Sequence, residues 1–262
     1  MTSTGSLIEI EDPTELEAFM RQDPGLHVYE IGDLDPFFRP RTRWFGWRAE
    51  ALEAFCLLYT ASTPPTLVAL CRPDGVDAMS RLLKALDRHL PARVFAHLSP
   101  TLDECFAADW IARPHGRHLK MQLTEPGPVH EVNTAAVISA TAADSETLLA
   151  FYDESYPGHW FDPRMLESGQ YRGIRDAGRW LAAAGVHVYS SAYRVAALGN
   201  VATAPAHRRR GLARAIMQTI HAWCLEAGYR TVGLSASDEG RSLYDSLGYR
   251  EPPRPYLFVR LE

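Results

Sequence analysis

Apolar positions in the second half of the chain recur with two periods. In Leu212–Glu226, the residues Leu212, Ile216, Ile220 and Trp223 return every three or four positions, which predicts an amphipathic helix, and Gly228 just beyond it is a stop. Ala143–Ser155 carries Leu148, Leu149 and Tyr152 at helical spacing. Asp162 followed by Pro163 reads as the N-cap and first-turn proline of another helix. Glu131–Ile138, Tyr171–Arg175, Trp180–Tyr189, Tyr193–Thr203, Arg230–Leu234 and Tyr256–Leu261 read as strands, and Gly240–Leu247 as a short helix closed by Gly248. A run of strands followed by strand–helix–strand predicts an α/β class fold, with a mixed sheet of α+β type.

The first half follows a similar order. Leu67–Cys71 predicts a strand, Val76–Leu90 a helix, Arg93–His97 a strand, Leu102–Trp110 a helix and His118–Leu123 a strand. Leu212 lies 136 positions after Val76, and Arg230 lies 137 after Arg93. This near-constant offset predicts a divergent internal repeat. Glu125-Pro126-Gly127-Pro128 reads as the linker, because its prolines lack N–H donors and its glycine resists regular structure. The expected domains are therefore 1–125 and 129–262.

Composition narrows the class. Apolar residues make up 46% and charged residues 23%, a globular mixture, and the net charge is −5. An acidic chain lacks the overall positive field that nucleic acid and anionic membranes attract. No apolar run approaches the ~18 residues of a membrane helix, and the N-terminus has no basic start or secretory apolar stretch. Four scattered cysteines form no C-x-x-C pair, which fits a reducing, cytoplasmic setting. His115 and His118 form an H-x-x-H pair without a third ligand, so no metal is expected.

The chemistry concentrates in Leu198–Met217, LGNVATAPAHRRRGLARAIM. A strand ends, the chain turns, and a helix opens at Gly211 with Arg208, Arg209, Arg210 and Arg214 around it. The first N–H groups of a helix lack internal partners, and its dipole favours anions there. Glycine lets a ligand approach the backbone, so a di- or triphosphorylated ligand suits this turn. Neither a P-loop nor a G-x-G-x-x-G fingerprint is present.

Arg208-Arg209-Arg210-Gly211-Leu212-Ala213 is R-x-x-G-x-A between a strand and a helix. It resembles the pyrophosphate-binding signature of the GNAT superfamily of acyl-CoA-dependent N-acetyltransferases. Downstream, Leu243-Tyr244 and Leu247-Gly248-Tyr249 resemble that family's LY…LG[FY] ending. The resemblance covers about Val129–Glu262. It implies tandem GNAT-like domains, the first degenerate, and acetyl-CoA as co-substrate. It places pantetheine along Val201, Ala202 and Thr203, beside a bulge that Gly199 suggests. It places the pyrophosphate around Arg208, Arg209, Arg210, Gly211, Leu212, Ala213 and Arg214, with Ser237 and Ser242 also on the cofactor side.

Acetyl transfer to an amine requires loss of a proton from nitrogen and gain of one by the leaving thiolate. Tyr244 matches the family's general acid, and its place beside the Leu243/Leu247 stripe predicts a hydroxyl aimed into the cleft. Many relatives carry a glutamate base in the preceding strand, yet no carboxylate lies between Val195 and Thr203. His187, Glu154 and Asp153 are candidate bases, with a hydrogen-bonded sheet residue as the plainer reading of His187. Asn200 is a candidate for orienting a water. The loop residues His159, Trp160 and Phe161 are candidates for the acceptor side, with a core plug as the alternative for the two aromatics.

The implied activity is direct acetyl transfer to a primary amine, on a small molecule or a peptide, by a monomer or homodimer, with no nucleic-acid or membrane partner. The alternative is a non-catalytic acetyl-CoA-binding sensor or scaffold. At the 136-residue offset, Arg72, Gly75 and Asp77 stand where Arg208, Gly211 and Ala213 do, with Pro73 and Asp74 between. Phe106 or Ala107 stands where Tyr244 does, so the first half is expected to bind no cofactor.

Overall fold

A computed structural model describes residues 5–106, 110–124 and 136–262. The strands are β1 (Ser6–Glu9), β2 (Thr42–Arg48), β3 (Leu52–Tyr59), β4 (Thr66–Ala69), β5 (Val94–Leu98), β6 (Ala112–Leu123), β7 (Ile138–Ser139), β8 (Tyr171–Asp176), β9 (Arg179–Ser190), β10 (Val195–Thr203), β11 (Thr231–Ala236) and β12 (Tyr249–Leu261). The helices are α1 (Pro13–Met20), α2 (Val28–Asp33), α3 (Val76–Leu86), α4 (Ser145–Ser155), α5 (Leu212–Glu226) and α6 (Arg241–Ser246). Contacts divide the chain into two units. Unit 1 holds the chain to Met121 with 236–239 and 251–262, and unit 2 holds 122–235 and 240–250.

In unit 1, β1 to β4 form an antiparallel run, β4 and β5 are parallel, and β12 adds antiparallel to β5, with β6 beyond it. A parallel pair needs a crossover, and α3 supplies it. Its buried residues Ala78, Met79, Leu82, Leu83 and Leu86 form one helical stripe. They pack on Val94, Ala96, Leu98, Val259 and Leu261 from one face of the sheet. The alternate positions Phe95, His97, Tyr256 and Phe258 therefore point to the other face.

Unit 2 repeats this arrangement. Its strands run β7-β8-β9-β10-β11, antiparallel from β7 to β10 and parallel between β10 and β11, with α5 as the crossover. Ala215, Ile216, Ile220 and Cys224 form the buried stripe of α5.

Several expectations change. Leu149 of α4 is exposed, leaving Leu148, Phe151 and Tyr152 to face the core. Asp162 does cap, accepting from the Arg164 N–H at 2.9 Å, but it opens a 3-10 segment, Pro163–Ser168, rather than an α-helix. The helix expected over Leu102–Trp110 is a single 3-10 turn, Leu102–Cys105, and positions 107–109 lie outside the described residues. So do the Glu125–Pro128 linker and residues 131–135 of the expected strand. Contacts divide the chain at Met121/Gln122, and the C-terminal strand from residue 251 groups with unit 1, so the units are not two linear halves.

Candidate active site

The paired register of β10 and β11 runs from Val195–Thr231 to Leu198–Leu234 and stops there. On its other side β10 continues with β9 as far as Thr203. Gly199 faces Gly185 and Ala202 faces Ala183, so β10 carries one extra residue, a β-bulge at Asn200–Val201. The bulge and the end of the β11 register leave Val201, Ala202 and Thr203 at an open edge of the parallel pair.

Buried side chains hold the bulge. Asn200 has φ +49°, a left-handed conformation that asparagine tolerates better than most residues. The Tyr152 hydroxyl donates to the Asn200 carbonyl at 2.8 Å. The Asn200 amide donates to the Tyr171 hydroxyl at 3.0 Å, which donates to Met165 Sδ at 3.2 Å. Burial pushes the Tyr152 phenol well above its ordinary pKa, so it stays a donor. The Asn200 carbonyl and side-chain nitrogen are thus both engaged within the bulge. Sequence reasoning missed Tyr152, Tyr171 and Met165 as its partners, because the three come from separate elements.

His187 occupies a second bulge. Ala197 faces Val188 and Leu198 faces Val186, so β9 has one residue over at His187. Its ring lies against Gly199, where a Cβ would stand 2.4 Å from the imidazole Cε1. It is parallel to the Tyr171 ring, 10° off plane at 6.3 Å. Its Nε2 is buried without a hydrogen-bond partner, which corrects the reading of a satisfied sheet residue. Burial lowers its pKa to about 4, so the ring is neutral at neutral pH.

At the turn, Arg209 and Gly211 have φ +63° and +78°, and α5 starts at Leu212 with no side-chain cap. Left-handed residues alternating with helical ones turn successive N–H groups into one concavity. Arg208 bonds to the carbonyls of Thr203 (3.3 Å) and Ser155 (3.5 Å) and braces the turn. Arg214 reaches Ser246 Oγ at 2.7 Å and ties α5 to α6. Arg209 and Arg210 are exposed, with Arg210 beside His207 Nδ1 at 2.8 Å. Among the described residues, none of these four arginines is ion-paired to a carboxylate.

Tyr244 differs from expectation. It is buried, not at the edge of a stripe, and its ring sits over Gly240, where a Cβ would meet Cε2 at 2.8 Å. It meets Tyr249 edge-on at 5.9 Å, and Leu243 is only half-buried.

Glu154 is exposed and stands 3.8 Å from Arg179. Asp153 bonds His159 Nε2 at 3.0 Å, while His159 Nδ1 accepts the Phe161 N–H at 3.1 Å. Both ring nitrogens of His159 therefore frame the loop. Phe161 joins the core with Tyr152 and Tyr171, and Trp160 alone of the three is exposed. Ser237 is exposed and groups with unit 1, and Ser242 is exposed on the first turn of α6.

In unit 1 the matching turn is closed on itself. Arg72 forms a bidentate pair with Asp74 at 3.1 and 2.8 Å, and the Gly75 N–H donates to the Arg72 carbonyl at 2.9 Å.

Residues 143–251 match the family model described as the acetyltransferase (GNAT) domain. The chain carries a GNAT acetyltransferase domain. Solved structures repeat the fold over nearly the whole chain. A Drosophila protein shares 13% identity at TM-score 0.68, covering 98% of this chain and 99% of that one. A GNAT-family acetyltransferase from Colwellia psychrerythraea shares 14% identity at TM-score 0.55, covering 97% and 99%. A tandem GNAT protein from the clavulanic acid biosynthesis pathway shares 14% at TM-score 0.53, covering 98% of each chain. A search of curated proteins gives no match. Among the described residues, no three or more His, Cys, Asp or Glu gather as a metal site, and no helix is long and apolar enough to cross a membrane.

Proposed function

We propose that unit 2 of this GNAT protein is an N-acetyltransferase that moves an acetyl group from acetyl-CoA to a primary amine by direct attack. The observation that carries this is the start of α5 without a side-chain cap, whose arginines meet no carboxylate among the described residues, next to the open edge of β10. A pyrophosphate fits the turn because donors and positive charge are present and no protein anion competes. On the side away from β9, the backbone of β10 beyond Leu198 has no β11 register and is left to meet the pantetheine amides. When bound, the thioester supplies an activated acyl carbon and a thiolate leaving group.

The chain's own residues then divide the work. Tyr244 gives its phenolic proton to the sulfur as the C–S bond breaks, since phenol (~10) and thiol (~8.5) are close in pKa. His187 is too weakly basic, at about 4, to hold the proton of an amine. It instead accepts a hydrogen bond from the N–H of an amine already neutral, aiming the lone pair, while the amine's proton leaves through water. The bulge network keeps the strand edge in place. A screen of amines reading free thiol released from acetyl-CoA tests this, with release expected only when a primary amine is present. Acetyl-CoA binding without turnover on any amine would return the protein to a sensor or scaffold.

A further inference from the structure

Unit 1 holds a cavity that the transferase reading does not use. Its volume is about 220 Å³, and one wall is the end of β4 with the turn after it, Leu70, Cys71, Arg72, Asp74 and Gly75. That turn is the counterpart of Arg208–Ala213. Asp23 and His27 form another wall, on a turn closed by the His27 N–H on the Asp23 carbonyl at 3.2 Å. Phe19, Leu52, Ala54 and Met79 add apolar surface. Glu53 and Asp74 also line the cavity and are exposed, so it opens to solvent beside them. His27 is 3% exposed, with Nδ1 3.5 Å from Glu30 Oε1. A carboxylate there holds the proton of the neutral ring on Nδ1, so Nε2 keeps its lone pair. Nε2 is the ring's remaining polar atom, and among the described residues it has no hydrogen-bond partner.

The wall selects its ligand by charge and by surface. Asp74 grips the Arg72 guanidinium at 3.1 and 2.8 Å, and Arg81 meets Glu53 at 3.1 Å. With Asp23, three carboxylates stand against these two guanidiniums, so the wall is negative and disfavours an anion. Among the described residues, no three or more His, Cys, Asp or Glu gather to hold a metal ion, and a hydrated ion gains nothing from apolar walls. A lone pair beside an acidic turn calls for an N–H that carries positive charge. The apolar surface calls for a hydrocarbon body. We propose that this cavity binds a small apolar amine as its ammonium. One N–H donates to His27 Nε2, the charge faces Asp23, and the body lies against Phe19, Ala54 and Met79. The volume is below the ~300–1,000 Å³ of drug-sized sites, which suits an amine with one short chain or one ring. Every residue of the site lies in unit 1, so it is distinct from the acceptor side of unit 2.

The test is an NMR titration of the full chain, carrying isotope-labelled methionine methyls, with isoamylamine and benzylamine. Benzyl alcohol and benzoate serve as the uncharged and anionic controls. Met79 lines the cavity and Met165 packs in the core of unit 2, so their signals report the two units separately, and Met79→Leu assigns the first. At least one amine is expected to shift the Met79 signal to saturation, with neither control moving it at the same concentration. Asp23→Asn keeps an acceptor for the Leu26 N–H but removes the charge, and Asp74→Asn releases Arg72 beside the cavity. Each should weaken amine binding roughly tenfold or more. The titration of the unaltered protein stands even where a variant folds poorly. No acyl donor is present, so failure of the transferase reading would leave the Met79 result untouched. A shift at Met165 without one at Met79 would place the amine in unit 2 and overturn the site. So would a Met79 signal unmoved by both amines, an equal shift with benzyl alcohol, or full affinity in both folded variants.

Discussion

The turns at Arg72–Asp77 and Arg208–Ala213 begin the equivalent crossover helices of the two units, and they differ in how positive charge is spent. In unit 2 Gly211 takes φ +78° and opens α5 without a side-chain cap. In unit 1 Gly75 takes φ −95°, and Asp74 occupies the guanidinium of Arg72. Pro73 has removed one N–H, and Asp77 sits in the first turn of α3, where its charge already answers the helix dipole. The same fold therefore presents, among the described residues, a turn whose arginines meet no carboxylate in one unit and a self-neutralised turn in the other. A few side chains decide which, without changing sheet or helix.

The largest effect should come from making the two units alike at the proton donor. No tyrosine stands at Phe106 or Ala107, where the repeat would place the first half's proton donor. Tyr244→Phe should lower kcat by roughly 10²–10⁴ where chemistry limits turnover, with the affinity for acetyl-CoA unchanged. Wild-type kcat would leave the hydroxyl without a role. Next, Gly211→Asp brings the carboxylate of the unit 1 turn to α5. Losing one charged hydrogen bond costs roughly 1.5–3 kcal/mol, so CoA should bind at least tenfold more weakly by calorimetry, with only a small fall in melting temperature from the strained φ at Gly211.

Smaller effects sharpen the picture of the bulge, which unit 2 needs to keep its strand edge open. Tyr152→Phe strands the Asn200 carbonyl and should cost about 1–3 kcal/mol in denaturant unfolding. The KM for acetyl-CoA should rise with it. The smallest effect is on pH dependence. His187 and His221 are buried, with pKa lowered to about 4 in each. Unfolded histidine titrates near ~6.5, so the unfolded chain binds more protons below that pH. Their contribution to stability is full above about 6.5 and is lost as pH falls toward 4. His221→Phe should flatten the fall in melting temperature over that window, and an unchanged slope would show that His221 does not contribute.

Much of the fold was legible because it is local. The stripes of α3 and α5, the R-x-x-G-x-A turn and the final glycines announce themselves within a dozen residues. The strands and helices before Leu67 were not read, since β2 and β3 are buried in runs without clean alternation. Tyr244 was placed by motif but not by environment, as nothing local says that Gly240 lies under its ring. The bulge network and the cavity of unit 1 were invisible for a different reason. Their members lie tens of residues apart and meet only once the sheet has formed.

The central claim is that one turn of the two binds cofactor. Calorimetric titration of the full chain with CoA tests it most directly. The account predicts one CoA per chain, with that single binding event weakened at least tenfold by Gly211→Asp and untouched by Asp74→Asn. Two CoA per chain, or full affinity surviving Gly211→Asp, would contradict it.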